Sequence, residues 1–593
     1  MSEQRVDADA PDAAGDPGRV HLEAHPAMSR DDDAPDADAN GDAEAGASDA
    51  DPDSDVAAAD VAAADAAATH REEPRGTGLD RWWSGLVSTP RRRALWYWGG
   101  PILVTLLAAV LRFWNLGNPH ALVFDETYYV KDAWTLLHHG YESAWPDDPN
   151  PAFEAGDTDI FLADPEYVVH PPLGKWMISL GMLAFGADNA FWWRATTALA
   201  GTIAVFVLTL VARRLFASTL VAVIAGLLFA VDGNAIVMSR VAILDNWLML
   251  FCLLGFWFVL LDRARTARLL EARVDAGLAA GEEPHLGPAI WARPWVVAAG
   301  LAFGAATAVK WSGLYFIAAV GIYLVVVDAL ARRRTGVHFW ATGAVLKQAP
   351  ITFLLFVPIA VAVYLASWTG WLVTDGGYYR HWADEADHAA TGLFAWVPHS
   401  LQSLWHYHQA AYGYHVGVQT PHPWQANPLT WLFMIRPTNM YFLATDDGSG
   451  GCGATTCWSS IMEIANPLVW WAATIATGYL VYRLVRYREW QVGVILLGVA
   501  AGYLPWLMYL NRTVFQFYSI VFEPYLLLAL AFVITLILGR PTDATWRRKR
   551  GLGVVGVYLV AVVAVSVFYY PLWSAIPVTP EFRQLHFWLP GWG

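Results

Sequence analysis

The sequence predicts an all-α polytopic membrane protein, and three observations lead to this fold class. The chain has 593 residues, of which 56% are hydrophobic, and its mean hydropathy is +0.34. Charged residues make up 15% of the chain, against roughly 25% in soluble domains. Apolar runs close to the ~20 residues that a bilayer requires recur along most of the chain. These features together indicate many membrane-spanning helices.

The first 79 residues form an acidic segment that differs from the rest of the chain. This segment holds 21 acids and 5 bases, whereas the remainder holds 32 acids and 33 bases. It is rich in Ala, Asp, Gly and Pro, so it has too little apolar surface to fold. It also lacks the charged-then-apolar pattern of a cleaved signal. We therefore expect residues 1–79 to be a disordered cytoplasmic tail without a catalytic role.

The apolar runs and the positions of arginine clusters together predict the topology. Basic clusters belong on the cytoplasmic side, and they all fall there if the run 173–187 is a short interfacial helix rather than a span. The N-terminus is then cytoplasmic and the C-terminus is outside. The prediction has about eleven transmembrane helices: 95–114, 193–212, 216–237, 243–262, 294–310, 312–330, 349–368, 464–483, 490–510, 517–538 and 552–571.

This topology divides the chain into two membrane halves. The N-terminal half, 90–345, carries a large outer loop at 115–192, and we expect it to hold the catalytic residues. The C-terminal half, 346–575, carries the outer loop 369–463, and residues 576–593 form an outer tail. The extracytoplasmic loops are expected to carry short interfacial helices.

Two adjacent carboxylates, Asp125 and Glu126 in "LVFDETYYVKDAW", are the candidate catalytic residues. A carboxylate that reaches a substrate hydroxyl can act as a general base. Adjacent side chains point in different directions, so one acid could meet the substrate while the other orients a partner. The alternative is a pair of solvated acids at a helix start, where negative charge is favoured.

Two cations on the predicted outer face are candidates for binding a phosphate. Arg512 lies in "NRTVFQFY" between two apolar runs, and arginine binds phosphate in a planar, bidentate manner. Lys175 in "HPPLGKW" is the second candidate, and Arg194 in "FWWRATTALAG" lies at the predicted outer end of a span. A lysine at this depth can instead extend toward lipid headgroups.

Further polar residues are expected to support the same site. Charges at membrane depth normally face a polar cavity or a partner, and Arg240 and Asp245 could form a structural ion pair. Histidines at 406, 408, 415 and 422 fit no tight metal template, so no metal site is predicted. The supporting residues are His170, Arg240, Asp245, Lys310, His415 and His422.

The three cysteines exclude a disulfide-rich scaffold. Cys452 and Cys457 are close together in a polar loop, and a disulfide between them is favoured if that loop is outside. Cys252 lies in an apolar run and is expected to be a packed thiol.

Several strings in the sequence resemble those of protein O-mannosyltransferases. They are "FDETYYVKDAW", "HPPLGKW", "SRVAILDNWLMLF", "AVKWSGLY", "WHYHQAAYGYHVGVQTPHPWQANPLTW" and "NRTVFQFYSIVFEPY", in family order over roughly 90–575. The resemblance implies a GT-C type glycosyltransferase that moves mannose from polyprenyl-phosphate mannose to Ser or Thr hydroxyls of proteins, with inversion. It also implies that the adjacent acid pair is the catalytic motif, with Asp125 as the best candidate for the base and Glu126 in support, although which of the two acids takes the proton stays open. The resemblance further implies that Arg512, with Lys175 and Arg194 as weaker candidates, holds the donor phosphate.

Two departures from the family narrow this expectation. Loop 369–463 has no room for the soluble β-trefoil insert of eukaryotic members, which indicates the bacterial kind with an undecaprenyl- or decaprenyl-linked donor. The string "FQFYS" lacks the family's histidine beside Arg512. No cofactor is required by the sequence, and a divalent cation is unsupported.

The expected partners are the donor lipid, membrane lipids and secreted or membrane proteins, with Sec translocation as one route of encounter and no nucleic acid. The expected location is the plasma membrane. Two alternatives stay open: a related transferase that modifies a lipid or a cell-wall glycan, and, more distantly, a transporter. A transporter is disfavoured because the charges fall at the ends of spans rather than near the midplane.

Overall fold

Long apolar helices make up most of the described chain. The computed structural model describes residues 76–593, so the predicted disordered tail, residues 1–79, lies outside the described residues except for its last four, of which Gly78 and Leu79 begin a helix. The α-helices are Gly78–Leu86, Pro90–Phe113, Glu126–His139, Asn150–Glu154, Leu173–Phe185, Ala190–Phe216, Thr219–Ala230, Gly233–Arg240, Asp245–Ala279, Pro294–Val309, Gly313–Arg334, Trp340–Thr342, Ala349–Ser367, Thr369–Val373, His399–Gly417, Pro467–Tyr487, Trp490–Tyr503, Glu523–Leu538, Thr545–Trp573 and Pro580–Gln584. A π-helix, Gly343–Gln348, joins Trp340–Thr342 to Ala349–Ser367. Short 3₁₀ helices cover Trp382–Asp384, Gly392–Phe394, Pro428–Phe433, Leu504–Met508, Gln516–Val521 and Pro590–Trp592.

All eleven predicted spans are helical, although fewer have the length of a complete span. Within residues 76–593, eight helices are long and apolar enough to cross a membrane, or nine if a pair bent by 59° counts as one span. The two remaining predicted spans are the shorter apolar helices Pro294–Val309 and Glu523–Leu538. Each has 16 residues, which corresponds to about 24 Å of helix. The number eleven therefore stays a prediction.

The outer surface of the bundle is apolar, as a lipid environment demands. In the first long helix, Leu103 is 68% exposed, and in the last one Val557 is 73% exposed. Helices Thr219–Ala230 and Gly233–Arg240 lie instead in the interior, where nearly every side chain is buried. A contiguous apolar surface of this extent is incompatible with water, so the chain is a multi-pass membrane protein.

Local sequence signals explain where several helices begin. Thr89 accepts a hydrogen bond from the third residue of the helix that starts at Pro90. Asn189, Ser218 and Asn466 cap three other helices in the same way, and Pro467 follows Asn466 at the first helical position. Such side chains satisfy backbone N–H groups that have no partner within the helix.

The bend between Thr219–Ala230 and Gly233–Arg240 is built around Asp232 and Gly233. The Asp232 carboxylate accepts from the amide of Asn234 at 2.9 Å, which starts the second helix, and from the amide of Asn466 at 3.0 Å. A Cβ at Gly233 would meet the carbonyl of Ile464 and the ring of Trp573. The bend therefore ties this pair to the C-terminal half of the protein.

A β-hairpin lies in the second large loop. Strands Asn439–Thr445 and Cys457–Met462 are antiparallel, with Thr445 opposite Cys457 and Asn439 opposite Met462. A disulfide joins Cys452 to Cys457, the pair that the sequence favoured. Cys252 is a free, buried thiol, also in agreement with the sequence.

The run 173–187 forms the helix Leu173–Phe185, which is too short to be a span. Its 13 residues correspond to about 20 Å. It packs against Glu126–His139 and Ala190–Phe216. This helix is therefore part of the support beneath the candidate catalytic acids.

Candidate active site

Glu126 is fully engaged by the protein itself. Its carboxylate accepts from the amides of Val123 at 2.8 Å and Ala242 at 2.7 Å. Arg194 donates to both of its oxygens, from Nε at 2.8 Å and from Nη2 at 2.7 Å. Glu126 has no exposed surface. Because both oxygens are buried and occupied, Glu126 holds the loop in place and is not available to a substrate hydroxyl.

Arg194 has a partner for its whole guanidinium group, so it does not reach a phosphate. Besides Glu126, it donates to the carbonyls of Leu116, Pro119 and Ala121 at 2.8–3.2 Å. It is fully buried. The sequence predicted a phosphate contact for Arg194, and the structure corrects this prediction: Arg194 fixes the loop that precedes the acid pair.

Asp125 differs from its neighbour because its carboxylate has no hydrogen-bond partner among the described residues. It stands at the start of the helix Glu126–His139 but does not cap it. Burial raises the pKa of Asp125 to about 6, while the charge of Lys310 acts to lower it and that of Asp245 acts to raise it. A carboxylate with such a pKa is poised to accept a proton near neutral pH.

The backbone at Phe124 turns the chain just before Asp125. Phe124 adopts a left-handed conformation with φ of 51°, which costs roughly 1–2 kcal/mol for a residue with a side chain. Its ring packs edge-on against His422, Phe515 and Phe517, with centroids 5.4–5.8 Å apart. His422 thus supports the loop through packing, and it connects the loop to the C-terminal half.

Lys310 and Asp245 form an ion pair, and both of its charges act on the pKa of Asp125. Lys310 Nζ lies 2.6 Å from Asp245 Oδ2 and 4.8 Å from the centroid of the Tyr518 ring. The pairing that the sequence proposed, Arg240 with Asp245, does not occur. Arg240 donates instead to the carbonyls of Arg112 and Trp114, at 3.0 and 2.7 Å, at the end of the first long helix. Arg240 therefore stabilises a helix C-terminus.

Lys175 lies in a buried cluster of acids and not in a phosphate site. Its Nζ contacts the carboxylate of Glu142 and lies 3.7 Å from Asp132 Oδ2. Lys175 is only 1% exposed. Burial raises the pKa of Asp132 to about 8, against the lowering effect of Lys175. The sequence prediction of a phosphate contact for Lys175 is corrected accordingly.

A cavity of about 240 Å³ has a cationic, aromatic lining that includes Lys310, whose charge acts on Asp125. Lys310 and Tyr518 belong both to this lining and to the charged surroundings of Asp125. Arg512 donates from Nη2 to His415 Nδ1 at 3.2 Å, and its Nε has no hydrogen-bond partner within residues 76–593. The lining comprises His170, Lys310, Trp311, Ser312, Leu314, Tyr315, Tyr412, His415, Val416, Pro505, Trp506, Tyr509, Arg512 and Tyr518.

A second, apolar cavity of about 580 Å³ adjoins the first. The two cavities share Trp311, Leu314 and Tyr412. The remaining lining is mostly aliphatic or aromatic and comes from the helices Pro294–Val309, Gly313–Arg334, Ala349–Ser367 and His399–Gly417. The two cavities together can accommodate a ligand with an anionic head and a long apolar tail.

Residues that could hold a metal ion do not coincide with this site. In the described part of the chain, the His, Asp, Glu and Cys side chains that come close enough together are Glu283, His285 and His338, all exposed. They lie between helices Asp245–Ala279 and Pro294–Val309 and just before Trp340. The absence of a metal requirement stays a prediction.

Sequence reasoning missed several residues of the site. Tyr518 and Trp311 line the cavity, and Glu142 pairs with Lys175. Trp311 directly follows Lys310, and Tyr518 lies within the quoted string around Arg512. Their position next to the predicted cations was a sequence signal that could have identified both aromatic residues. Glu142 carried no local signal, since its partner is 33 positions away.

The fold and the site define a multi-pass membrane protein with a cationic cavity and, under the influence of the same lysine, a carboxylate that has no hydrogen-bond partner in the described part of the chain. Two family models match the chain: the dolichyl-phosphate-mannose-protein mannosyltransferase model over residues 102–271, and the C-terminal four-helix membrane region of protein-O-mannosyltransferase over residues 400–592.

Full-length relatives agree with these matches. A polyprenol-phosphate-mannose–protein mannosyltransferase of Mycolicibacterium smegmatis (strain MKD8) is 35% identical over 84% of this chain and 93% of the relative. The protein of the same name from Mycobacterium tuberculosis (strain CDC 1551) is 34% identical over 83% of this chain and 91% of the relative. The chain belongs to the protein mannosyltransferase family.

A solved structure supports the fold. The Saccharomyces cerevisiae protein O-mannosyltransferase Pmt1–Pmt2 complex, bound to the sugar donor, superposes with a TM-score of 0.62 at 15% identity. The match covers 84% of this chain and 92% of the yeast chain. At this level of identity, the comparison concerns the GT-C type membrane fold alone.

Proposed function

We propose that this protein transfers mannose from polyprenyl-phosphate mannose to Ser or Thr hydroxyls of proteins by a single inverting displacement. The observation that carries the assignment of the base is the contrast between the two acids. Asp125 has a carboxylate without a hydrogen-bond partner among residues 76–593, and burial raises its pKa to about 6. Glu126 accepts four hydrogen bonds and is buried.

In the proposed step, Asp125 accepts the proton of the acceptor hydroxyl as that oxygen attacks the anomeric carbon of mannose. A new carbon–oxygen bond forms, and the bond between the anomeric carbon and the phosphate oxygen breaks. The electron pair leaves with the polyprenyl phosphate. No oxidant, reductant or cofactor is needed, because the phosphate of the donor already activates the sugar.

Arg512 and Lys310 are the proposed stabilisers of the leaving phosphate. Arg512 lines the cavity, and its Nε has no hydrogen-bond partner in the part of the chain that the structure describes. Lys310 belongs to the same lining. Fixed positive charge that faces a developing phosphate lowers the barrier without reorganisation. The adjoining apolar cavity is the proposed path of the prenyl tail, since its lining is apolar and it shares three residues with the cationic cavity.

The proposed orientation places this site on the extracytoplasmic face of the plasma membrane. Support comes from the helix Gly313–Arg334, which starts three residues after Lys310 and ends in three arginines, Arg332 to Arg334. Clusters of this kind favour the cytoplasmic side, so the opposite end, with Lys310, faces outward. Acceptor chains that emerge from Sec translocation would then reach Asp125 directly.

The test is a transfer assay with the purified full-length chain, labelled polyprenyl-phosphate mannose and a Thr-rich peptide. We expect label on the peptide that a Thr→Val version of the same peptide does not acquire. Label that appears only in a lipid or glycan fraction would overturn the protein-acceptor assignment and favour the related glycan transferase. Label on neither kind of acceptor would overturn the proposed reaction.

A further inference from the structure

His415 lies where the two halves of the chain meet at the cationic cavity. It belongs to the helix His399–Gly417 of the C-terminal half, and its Nε2 is 2.8 Å from the carbonyl oxygen of Val169 in the N-terminal half. Its ring also lies 4.9 Å from that of His170. One imidazole therefore contacts two consecutive residues of the segment before "PPLGKW".

The protonation pattern of His415 follows from its two neighbours. A carbonyl oxygen can only accept, so Nε2 must carry the hydrogen that Val169 receives. Nδ1 then has a free lone pair and accepts from Arg512 Nη2 at 3.2 Å. Burial lowers the pKa of His415 to about 4, and the charges of Arg512 and Lys310 act in the same direction. The ring is thus neutral near pH 7, with one donor and one acceptor in use.

The surrounding contacts hold the Val168–His170 segment rigidly. Tyr407 lies eight residues before His415, on the same helix face, and its hydroxyl bonds both the amide and the carbonyl of Val168, at 3.1 and 2.5 Å. Lys175 Nζ donates to the carbonyl of His170 at 3.4 Å. His415 is therefore hydrogen-bonded to a fixed backbone segment, and its second hydrogen bond can hold the Arg512 side chain in a fixed position.

We propose that His415 is a positioning residue that orients Arg512 toward the donor phosphate by joining the guanidinium to the backbone of Val169. The inference rests on the proposed role of Arg512 in that site. An arginine held at one nitrogen still presents its remaining donors, whereas a free one loses side-chain entropy when it binds phosphate. His415 itself needs no contact with the phosphate, because both of its nitrogens are occupied.

Two substitutions separate the two hydrogen bonds of His415. In His415→Asn, the amide oxygen takes the place of Nδ1 and keeps the bond to Arg512. In His415→Gln, the amide nitrogen takes the place of Nε2 and keeps the bond to Val169. A role for His415 that is purely structural predicts that these two variants behave alike.

The experiment measures donor KM, acceptor KM and kcat for the full-length protein, together with binding of undecaprenyl phosphate without any sugar. We expect His415→Ala to raise donor KM and to weaken undecaprenyl phosphate binding by about tenfold, the effect of one lost charged hydrogen bond, with acceptor KM unchanged. His415→Asn should recover most of the affinity and His415→Gln little of it. Equal behaviour of Asn and Gln, or unchanged binding in His415→Ala, would overturn the inference.

A matched control and a double variant complete the test. His406 is on the same helix and stacks on Trp382 at 3.9 Å, away from Arg512, so His406→Ala should leave donor KM unchanged. Arg512→Ala combined with His415→Ala should be no worse than Arg512→Ala alone, because His415 acts through Arg512. Additive losses would contradict this. If wild-type protein transfers no mannose to any peptide but its undecaprenyl phosphate binding still follows the pattern above, the proposed reaction fails while the role of His415 stands.

Discussion

The loop around the acid pair and the cationic cavity differ in how fully their polar groups are hydrogen-bonded. On the loop side, Glu126 and Arg194 are buried and every oxygen and guanidinium nitrogen has a protein partner. On the cavity side, Asp125 lacks a hydrogen-bond partner among the described residues, and Arg512 has a nitrogen without one. Satisfied buried groups hold a structure together. Unsatisfied ones next to a cavity are the groups left for a substrate.

The largest effect is expected when the carboxylate without a partner, that of Asp125, is removed. Asp125→Asn keeps the shape but cannot accept a proton, so we expect kcat to fall by about 10³-fold, within the range of lost general bases. The protein should remain folded, since no hydrogen bond is lost. Transfer of labelled mannose and the thermal unfolding midpoint are the two measurements. Activity within tenfold of the wild type would show that Asp125 is not the base.

Removing a satisfied group should affect stability before chemistry. Arg194→Ala leaves Glu126 as a buried carboxylate without its cation, which typically costs about 3–5 kcal/mol of the free energy of unfolding. We expect a much lower thermal midpoint and a reduced yield of folded protein. Arg268→Ala is the matched control, because Arg268 is exposed and bonds a single carbonyl of its own helix; its effect should stay within about 0.5 kcal/mol. An Arg194→Ala variant with wild-type stability would contradict the structural role.

The smallest effect is the dependence on pH. With a pKa near 6, Asp125 is the active carboxylate above pH 6, and kcat/KM should fall by about tenfold per pH unit below it. The free energy of unfolding changes with pH in the opposite direction to the activity. Folding raises this pKa, so the folded protein binds the proton more tightly and loses stability as pH rises from about 4 to 6.

Asp125→Asn should remove this pH-dependent loss in the free energy of unfolding, which amounts to about 3 kcal/mol at most. The variant should thus be more stable than the wild type at pH 8 and equal to it near pH 4. Unfolding midpoints of the two proteins across this range provide the measurement. A wild-type activity that is flat between pH 5 and 8 would show that the pKa of the base lies elsewhere.

Periodicity and charge placement predicted the helices well, because a run of apolar residues near membrane length forms a helix whatever its neighbours are. The arginine clusters also predict outer positions for Asp125, Lys310 and Arg512, and this orientation stays a prediction. Partners of buried charges could not be predicted in this way. Arg194 meets Glu126 across 68 positions and Lys310 meets Asp245 across 65, and helix packing alone decides such contacts.

The two adjacent acids are a second case in which the sequence does not predict the partners of a charged group. The local sequence alone does not distinguish Asp125 from Glu126, since both stand at the start of one helix, and only the family resemblance favoured Asp125. Their difference comes from Arg194 and from the amide of Ala242, both distant in sequence. The free carboxylate is identified only when the three-dimensional partners of its neighbour are known.

The hydrogen bond between the Ala242 amide and Glu126 has a consequence for how the site moves. Three residues further on, Asp245 holds Lys310. The loop that carries Asp125 and the ion pair that acts on its pKa are therefore both attached to one four-residue stretch of backbone, residues 242–245. A substitution that displaces this stretch is expected to move both attachments together.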